Sequence, residues 1–170
     1  MDYIIEIIEK EAEFTLEVPA DIPMWKMPVV IGKAYQEIGK YLENKNTKPS
    51  GPPFVRYLDV KWNEINKENK ISAFVKMFTR KWKMVIGFPL ANKIEGEKNL
   101  LSGKLQGGRY VKSIHRGAYQ RVGMTYNKLL QFLLKENLNY KNESMEIYLN
   151  DPETTKEEDL ETIVLIPLSD

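Results

Sequence analysis

The sequence contains no cysteine and a single histidine. The first absence excludes disulfides and thiolate catalysis, and suits a reducing cytoplasm. The second leaves no residue set spaced for a metal, since such a site needs partners that one histidine lacks. A surplus of basic charge is also missing. The 25 Lys and Arg stand against 24 Asp and Glu, whereas a dedicated nucleic-acid binder needs excess cations to neutralise phosphates. No apolar run approaches the ~18 residues that span a bilayer. The start, Met1 to Glu6, carries acids where a signal peptide would be basic. These absences predict a cytoplasmic protein with no membrane contact and no direct nucleic-acid binding. What is present is an ordinary globular composition, 42% apolar and 29% charged, in 170 residues. That is enough for one good-sized core or two small halves packed together.

Apolar periodicity marks the elements. Residues 3–8 and 12–18 read as strands with a bend at Glu9-Lys10-Glu11, and Phe14, Leu16 and Val18 alternate with Glu13, Thr15 and Glu17. Pro19, Pro23 and Pro28 predict an irregular connection, and Val30 to Leu42 a helix whose apolar residues recur every three or four. Strands are predicted at Phe54–Val60, Ile71–Thr79 and Trp82–Leu90, with a turn at Asn66-Lys67-Glu68-Asn69. Residues 91–107 read as a polar connector. Beyond it come a strand from Arg109 to His115, an amphipathic helix from Tyr119 to Glu136, and an acidic loop from Asp151 to Glu161. The last strand, Thr162–Leu168, is apolar throughout, which predicts burial on both faces. Between helix and acidic loop, Met145, Ile147 and Leu149 alternate with Glu146, Tyr148 and Asn150 before an Asx-Pro turn.

The two halves repeat. At an offset of 91, Tyr35 falls on Tyr126, Leu42 on Leu133, Asn46 on Asn137 and Tyr57-Leu58-Asp59 on Tyr148-Leu149-Asn150. A second match sets Phe88-Pro89-Leu90 on Ile166-Pro167-Leu168. This predicts one α+β domain over residues 1–170, built from a duplicated strand-helix-strand-strand unit. Repeat 1 covers about 1–90 and repeat 2 about 108–170, with an antiparallel sheet, helices on one side and a pseudo-twofold cleft between the halves. The repeat matches Glu146 with Val55 only, which predicts one off-axis carboxylate between paired aromatic walls. Seams between packed units commonly hold ligands.

Several motifs then carry a family resemblance: Gly51-Pro52-Pro53-Phe54 with Arg56-Tyr57, Gly87-Phe88-Pro89, Gly108-Arg109-Tyr110, His115-Arg116-Gly117-Ala118-Tyr119, Glu146 to Pro152, and Ile166-Pro167-Leu168. In this order they resemble the GyrI-like effector-binding domain along nearly the whole chain. The resemblance implies a small-molecule ligand, aromatic and cationic in many members, and no cofactor. It implies Glu146 at the base of the pocket, with Tyr57 and Tyr148, and also Tyr110 and Tyr119, as ligand-binding tyrosines. The chain departs from the regulators of the family in showing a strand where a helix-turn-helix would precede the domain. The expectation is a stand-alone effector- or drug-binding protein.

Two alternatives use the same residues or none of them. A hydrolase of electrophilic small molecules would employ Glu146 and Tyr148 as acid and base without a cofactor. A modulator of a protein partner such as a topoisomerase would need neither. His115 reads as a hydrogen-bonded structural residue rather than a metal or haem ligand, and Trp25, Trp62 and Trp82 as core or pocket walls, with core the default. Arg80-Lys81-Trp82-Lys83 reads as a solvated strand edge guarded by lysines.

Overall fold

The computed structural model describes residues 4–62 and 80–169. Within them lie β1 (Ile5–Lys10), β2 (Glu13–Pro23), α1 (Met27–Asn44), β3 (Phe54–Leu58), β4 (Lys81–Leu90), β5 (Leu101–Leu105), β6 (Gly108–Arg116), α2 (Val122–Lys135), β7 (Ser144–Tyr148) and β8 (Glu161–Pro167). The predicted strand Ile71–Thr79 and the turn at Asn66–Asn69 fall outside the described residues.

All eight strands join one antiparallel sheet in the order β1-β6-β8-β7-β3-β4-β2-β5. The duplicated unit is plain in that order: β2-α1-β3-β4 and β6-α2-β7-β8 meet where β3 pairs with β7, and β1 and β5 are the added strands. Cross-strand partners share a face. One row, Val18-Ile86-Val55-Glu146-Val164-Ser113, therefore crosses six strands on the side covered by the helices. Helix α1 buries Ala34, Ile38, Tyr41 and Leu42 against Leu16, Val55, Met84 and Ile86. Helix α2 buries Leu129, Leu130 and Leu133 against Val111, Val164 and Ile166. Strand β8 is packed from both sides, as its unbroken apolar run predicts, because Leu165 joins a third cluster on the opposite face with Phe54, Val85, Leu105, Tyr110 and Met145.

The sheet is curled, and the connections require it. Glu11-Ala12 alone links β1 to β2, and Gln106-Gly107 alone links β5 to β6, although six strand spacings separate each pair in the order. A flat sheet would hold them about 29 Å apart, while two linking residues reach only about 11 Å. The two outer corners therefore close on each other, as a half-barrel around the third cluster.

Several expectations are corrected. Strand β2 does not stop before Pro19 but runs through it to Pro23. Its pairing with β5 ends at Glu17, so from Val18 onward one side of β2 is a free edge where a missing N–H costs no ladder bond. The connector 91–107 contains β5, which pairs with β2 as an edge strand. The first bend falls at Glu11-Ala12, since β1 runs to Lys10. Strand β3 ends at Leu58 and Asp59 takes a positive φ, while β7 ends at Tyr148, so neither Asp59 nor Asn150 extends its face. Lys81 and Lys83 lie at the end of β4, a strand paired on both sides, not on a sheet edge. Trp25 is 56% exposed, so it is no core residue.

Candidate functional site

Strand β7 sets the site by alternation. Met145 goes to the cluster away from the helices, and Glu146 goes beneath them, 6% exposed. Its partner across the β3–β7 seam is Val55. Val55 is also its mate in the repeat, so a twofold operation that exchanges the halves maps this pair onto itself. The axis runs through it. The single carboxylate thus lies just beside the axis, off it by half a strand spacing, with a hydrocarbon as its mate.

Helix α2 brings Tyr126 over the strand, and its hydroxyl donates to Glu146 Oε1 at 3.0 Å. The Tyr148 hydroxyl donates to Oε2 at 2.8 Å. Each tyrosine has one proton, and Tyr126 is further connected. Ser144 Oγ is 3.1 Å from Tyr126 Oη. With the tyrosine protons on the carboxylate, Ser144 becomes the outer donor to Tyr126, and a short chain of hydroxyls runs through Tyr126 to the acid.

Aromatic rings close the surroundings. Tyr119, in the turn Tyr119–Arg121 that leads into α2, meets Tyr148 edge to face at 5.4 Å. Tyr57 meets Trp82 in the same manner at 6.1 Å. Trp62 lies 5.7 Å from Tyr126 and is anchored by Nε1–H donating to Lys141 O at 3.1 Å. Tyr35 on α1 contacts Phe88 at 5.3 Å and packs in one cluster with Val55, Tyr57 and Tyr148.

Burial pushes the Glu146 carboxyl above the ordinary carboxylate range, while the hydrogen bonds from Tyr148 and Tyr126 pull it back. Burial, reinforced by the nearby Glu146 charge, raises Tyr35, Tyr57, Tyr126 and Tyr148, so all four stay neutral hydroxyls at physiological pH. Tyr119 is raised by burial too, then by Asp151 and Glu146.

Of the five ligand-binding residues expected from the sequence, the structure brings together Glu146, Tyr148, Tyr57 and Tyr119. Tyr110 it does not. Tyr110 lies an odd three residues from Ser113, which shares the row of Glu146, so its ring enters the opposite cluster. Its hydroxyl donates there to Gln106 O at 2.8 Å. Tyr126 and Tyr35 were not among the expected site residues, although the repeat matches them with each other. Tyrosines at the same helical position in both halves signal a paired site around the axis. His115 is structural: Ala118 O can only accept, so Nε2–H donates to it at 3.0 Å, and Nδ1 accepts from the Thr125 hydroxyl at 3.0 Å. Neither ring nitrogen is left for a metal. Surface hollows of about 360 Å³ by Asn127, Leu130, Gln131 and Leu134, and of about 400 Å³ by Gly117, Ala118, Arg121 and Lys156 to Glu158, include none of the residues around Glu146.

The GyrI-like small molecule binding domain matches residues 11–169. The chain belongs to this family. Solved structures share the GyrI-like fold at low identity. The C-terminal domain of EcmrR is 16% identical with a TM-score of 0.71, covering 99% of each chain. A hydrolase from Listeria innocua is 17% identical with a TM-score of 0.62, covering 97% of this chain and 91% of that one. SAV2435 bound to tetraphenylphosphonium is 11% identical with a TM-score of 0.64, covering 99% and 94%. In the EcmrR–DNA complex the chain spans 57% of the EcmrR chain. No curated protein matches the chain in sequence. Among the described residues, no helix of this GyrI-like chain is long and apolar enough to cross a membrane.

Proposed function

We propose that this GyrI-like protein binds small, lipophilic aromatic cations in a cleft between its two repeats. It does so as a cytoplasmic effector- or drug-binding domain that itself makes no direct contact with nucleic acid. The observation that carries the reading is Glu146: a buried carboxylate beside the pseudo-twofold axis, hydrogen-bonded by neutral tyrosine hydroxyls and ringed by aromatic side chains. A carboxylate withdrawn from water is costly until a cation compensates it. A lipophilic cation supplies the charge and loses little hydration on entering. Each ring face that meets it adds about 0.5–2 kcal/mol. The tetraphenylphosphonium complex of SAV2435 supports the choice of ligand class, as a property of a protein with the same fold. Tyr57 and Tyr148, mates in the repeat, serve as the facing walls, and Tyr126 holds the carboxylate toward the ligand.

Titration calorimetry with tetraphenylphosphonium tests this. Glu146→Gln preserves the shape and one acceptor oxygen for the tyrosines, and should weaken binding at least tenfold with the fold intact by circular dichroism. Equal affinity of the variant would overturn the reading.

A further inference from the structure

Tyr35 and Tyr126 are mates in the repeat, and the pseudo-twofold gives them equivalent places over the sheet. Their surroundings differ: Tyr126 has Glu146, Ser144 and Trp62 about it, whereas Tyr35 has Val55 and Phe88. Tyr126 stands over Glu146 and donates to it. Tyr35 stands where the matching residue is Val55, and its hydroxyl is buried without a hydrogen-bond partner among the described residues. A buried hydroxyl left without a partner is rare in folded proteins and calls for an explanation. Here the neighbours explain why none is at hand. Val55 is a hydrocarbon, and the ring in contact with Tyr35 is Phe88. The Glu146 charge reaches Tyr35 through space, yet both carboxylate oxygens are already occupied by Tyr126 and Tyr148.

We infer that the Tyr35 hydroxyl is a second recognition point, donating to a hydrogen-bond acceptor oxygen that the ligand carries a few bonds from its cationic centre. This deepens the proposed cation site and rests on it. The geometry follows from the seam. Val55 and Glu146 are directly paired, so their Cβ atoms stand roughly 4.5–5.5 Å apart. A ligand whose cation meets Glu146 therefore passes over Val55 and reaches the Tyr35 hydroxyl with the next part of its skeleton. The preferred class is an aromatic amine with an ester, amide or ether oxygen between ring and nitrogen. The asymmetry of an otherwise twofold site would orient it, cation toward the Tyr126 side and oxygen toward the Tyr35 side.

The test compares two monocationic amines of one shape, 2-(diethylamino)ethyl benzoate and N,N-diethyl-4-phenylbutylamine, with and without the ester oxygens. Their dissociation constants are measured by calorimetry on the wild-type chain and on Tyr35→Phe, which retains the ring. Loss of stacking would affect both amines alike, so the ratio of the two constants isolates the hydroxyl. Tyr35→Phe should reduce the relative advantage of the ester roughly five- to tenfold, the effect of one buried hydrogen bond. A ratio within twofold of the wild-type value overturns the inference. Tetraphenylphosphonium, which has no acceptor oxygen, separates the two readings. If it binds the wild type in a manner that depends on Glu146 while the amine ratio is unmoved, only the Tyr35 role falls. If neither the amines nor tetraphenylphosphonium binds, both fall.

Discussion

Glu146 holds a proton more tightly in the folded chain than in the unfolded one, because burial outweighs the two tyrosine hydrogen bonds. Between the ordinary carboxylate pKa and the raised folded value, the native state binds more protons than the unfolded state. Stability therefore falls as pH rises through that window. The contribution is full below the ordinary pKa and lost once pH passes the folded one. Thermal melts of the free protein across this range should show that decline, and Glu146→Gln should flatten it. Binding of a cation runs the other way, since it needs the ionised acid. Affinity should rise with pH over the same window, with proton release seen as a buffer-dependent heat in calorimetry. Replacing Glu146 should thus separate stability from function: Gln relieves a desolvation cost and removes the charge proposed to recognise the ligand.

The helices end in the same way in both repeats. Asn46 and Asn137 have φ of 51° and 52°, in the left-handed region that asparagine tolerates better than most residues. Around them the bonds match residue for residue: Thr47 N–H to Leu42 O and Leu138 N–H to Leu133 O, Asn46 N–H to Glu43 O and Asn137 N–H to Leu134 O. These are Schellman ends, which satisfy carbonyls that the helix leaves without partners. Asn137→Ala should cost about 1–2 kcal/mol, measured by urea unfolding, and Asn137→Gly should cost nothing or stabilise. The cap was legible as the alignment of Asn46 with Asn137 at the offset of 91. The end of β2 was not. Proline reads locally as a break, and only the absence of a partner strand beyond Glu17 lets Pro19 remain in the sheet.

The curl of the whole molecule depends on two links that touch. A Cβ on Gly107 would stand 3.0 Å from both Ala12 N and Lys10 O, so each link is packed against the other. Gly107→Val should force them apart and destabilise the chain by about 1–3 kcal/mol, measured as a lower Tm. Phe54 packs at the centre of the cluster inside the curl. Phe54→Ala should cost about 3–5 kcal/mol.

By itself the sequence determined most of the element types (β5 in the polar connector excepted), the duplication, the GyrI-like family and the local direction of Glu146 and Tyr148, because apolar periodicity and matched motifs are properties of neighbouring residues. It could not determine how the strands are ordered. The pairing of β3 with β7 put Glu146 against its own repeat mate and therefore beside the axis, and pairing register is settled between strands distant in the chain. The same register sent Tyr110 to the opposite face, and helix docking brought Tyr126 to the carboxylate while leaving Tyr35 facing Val55. A tyrosine in an apolar helical stripe looks the same whichever of these it meets. Only the tertiary structure decides whether its hydroxyl finds a partner.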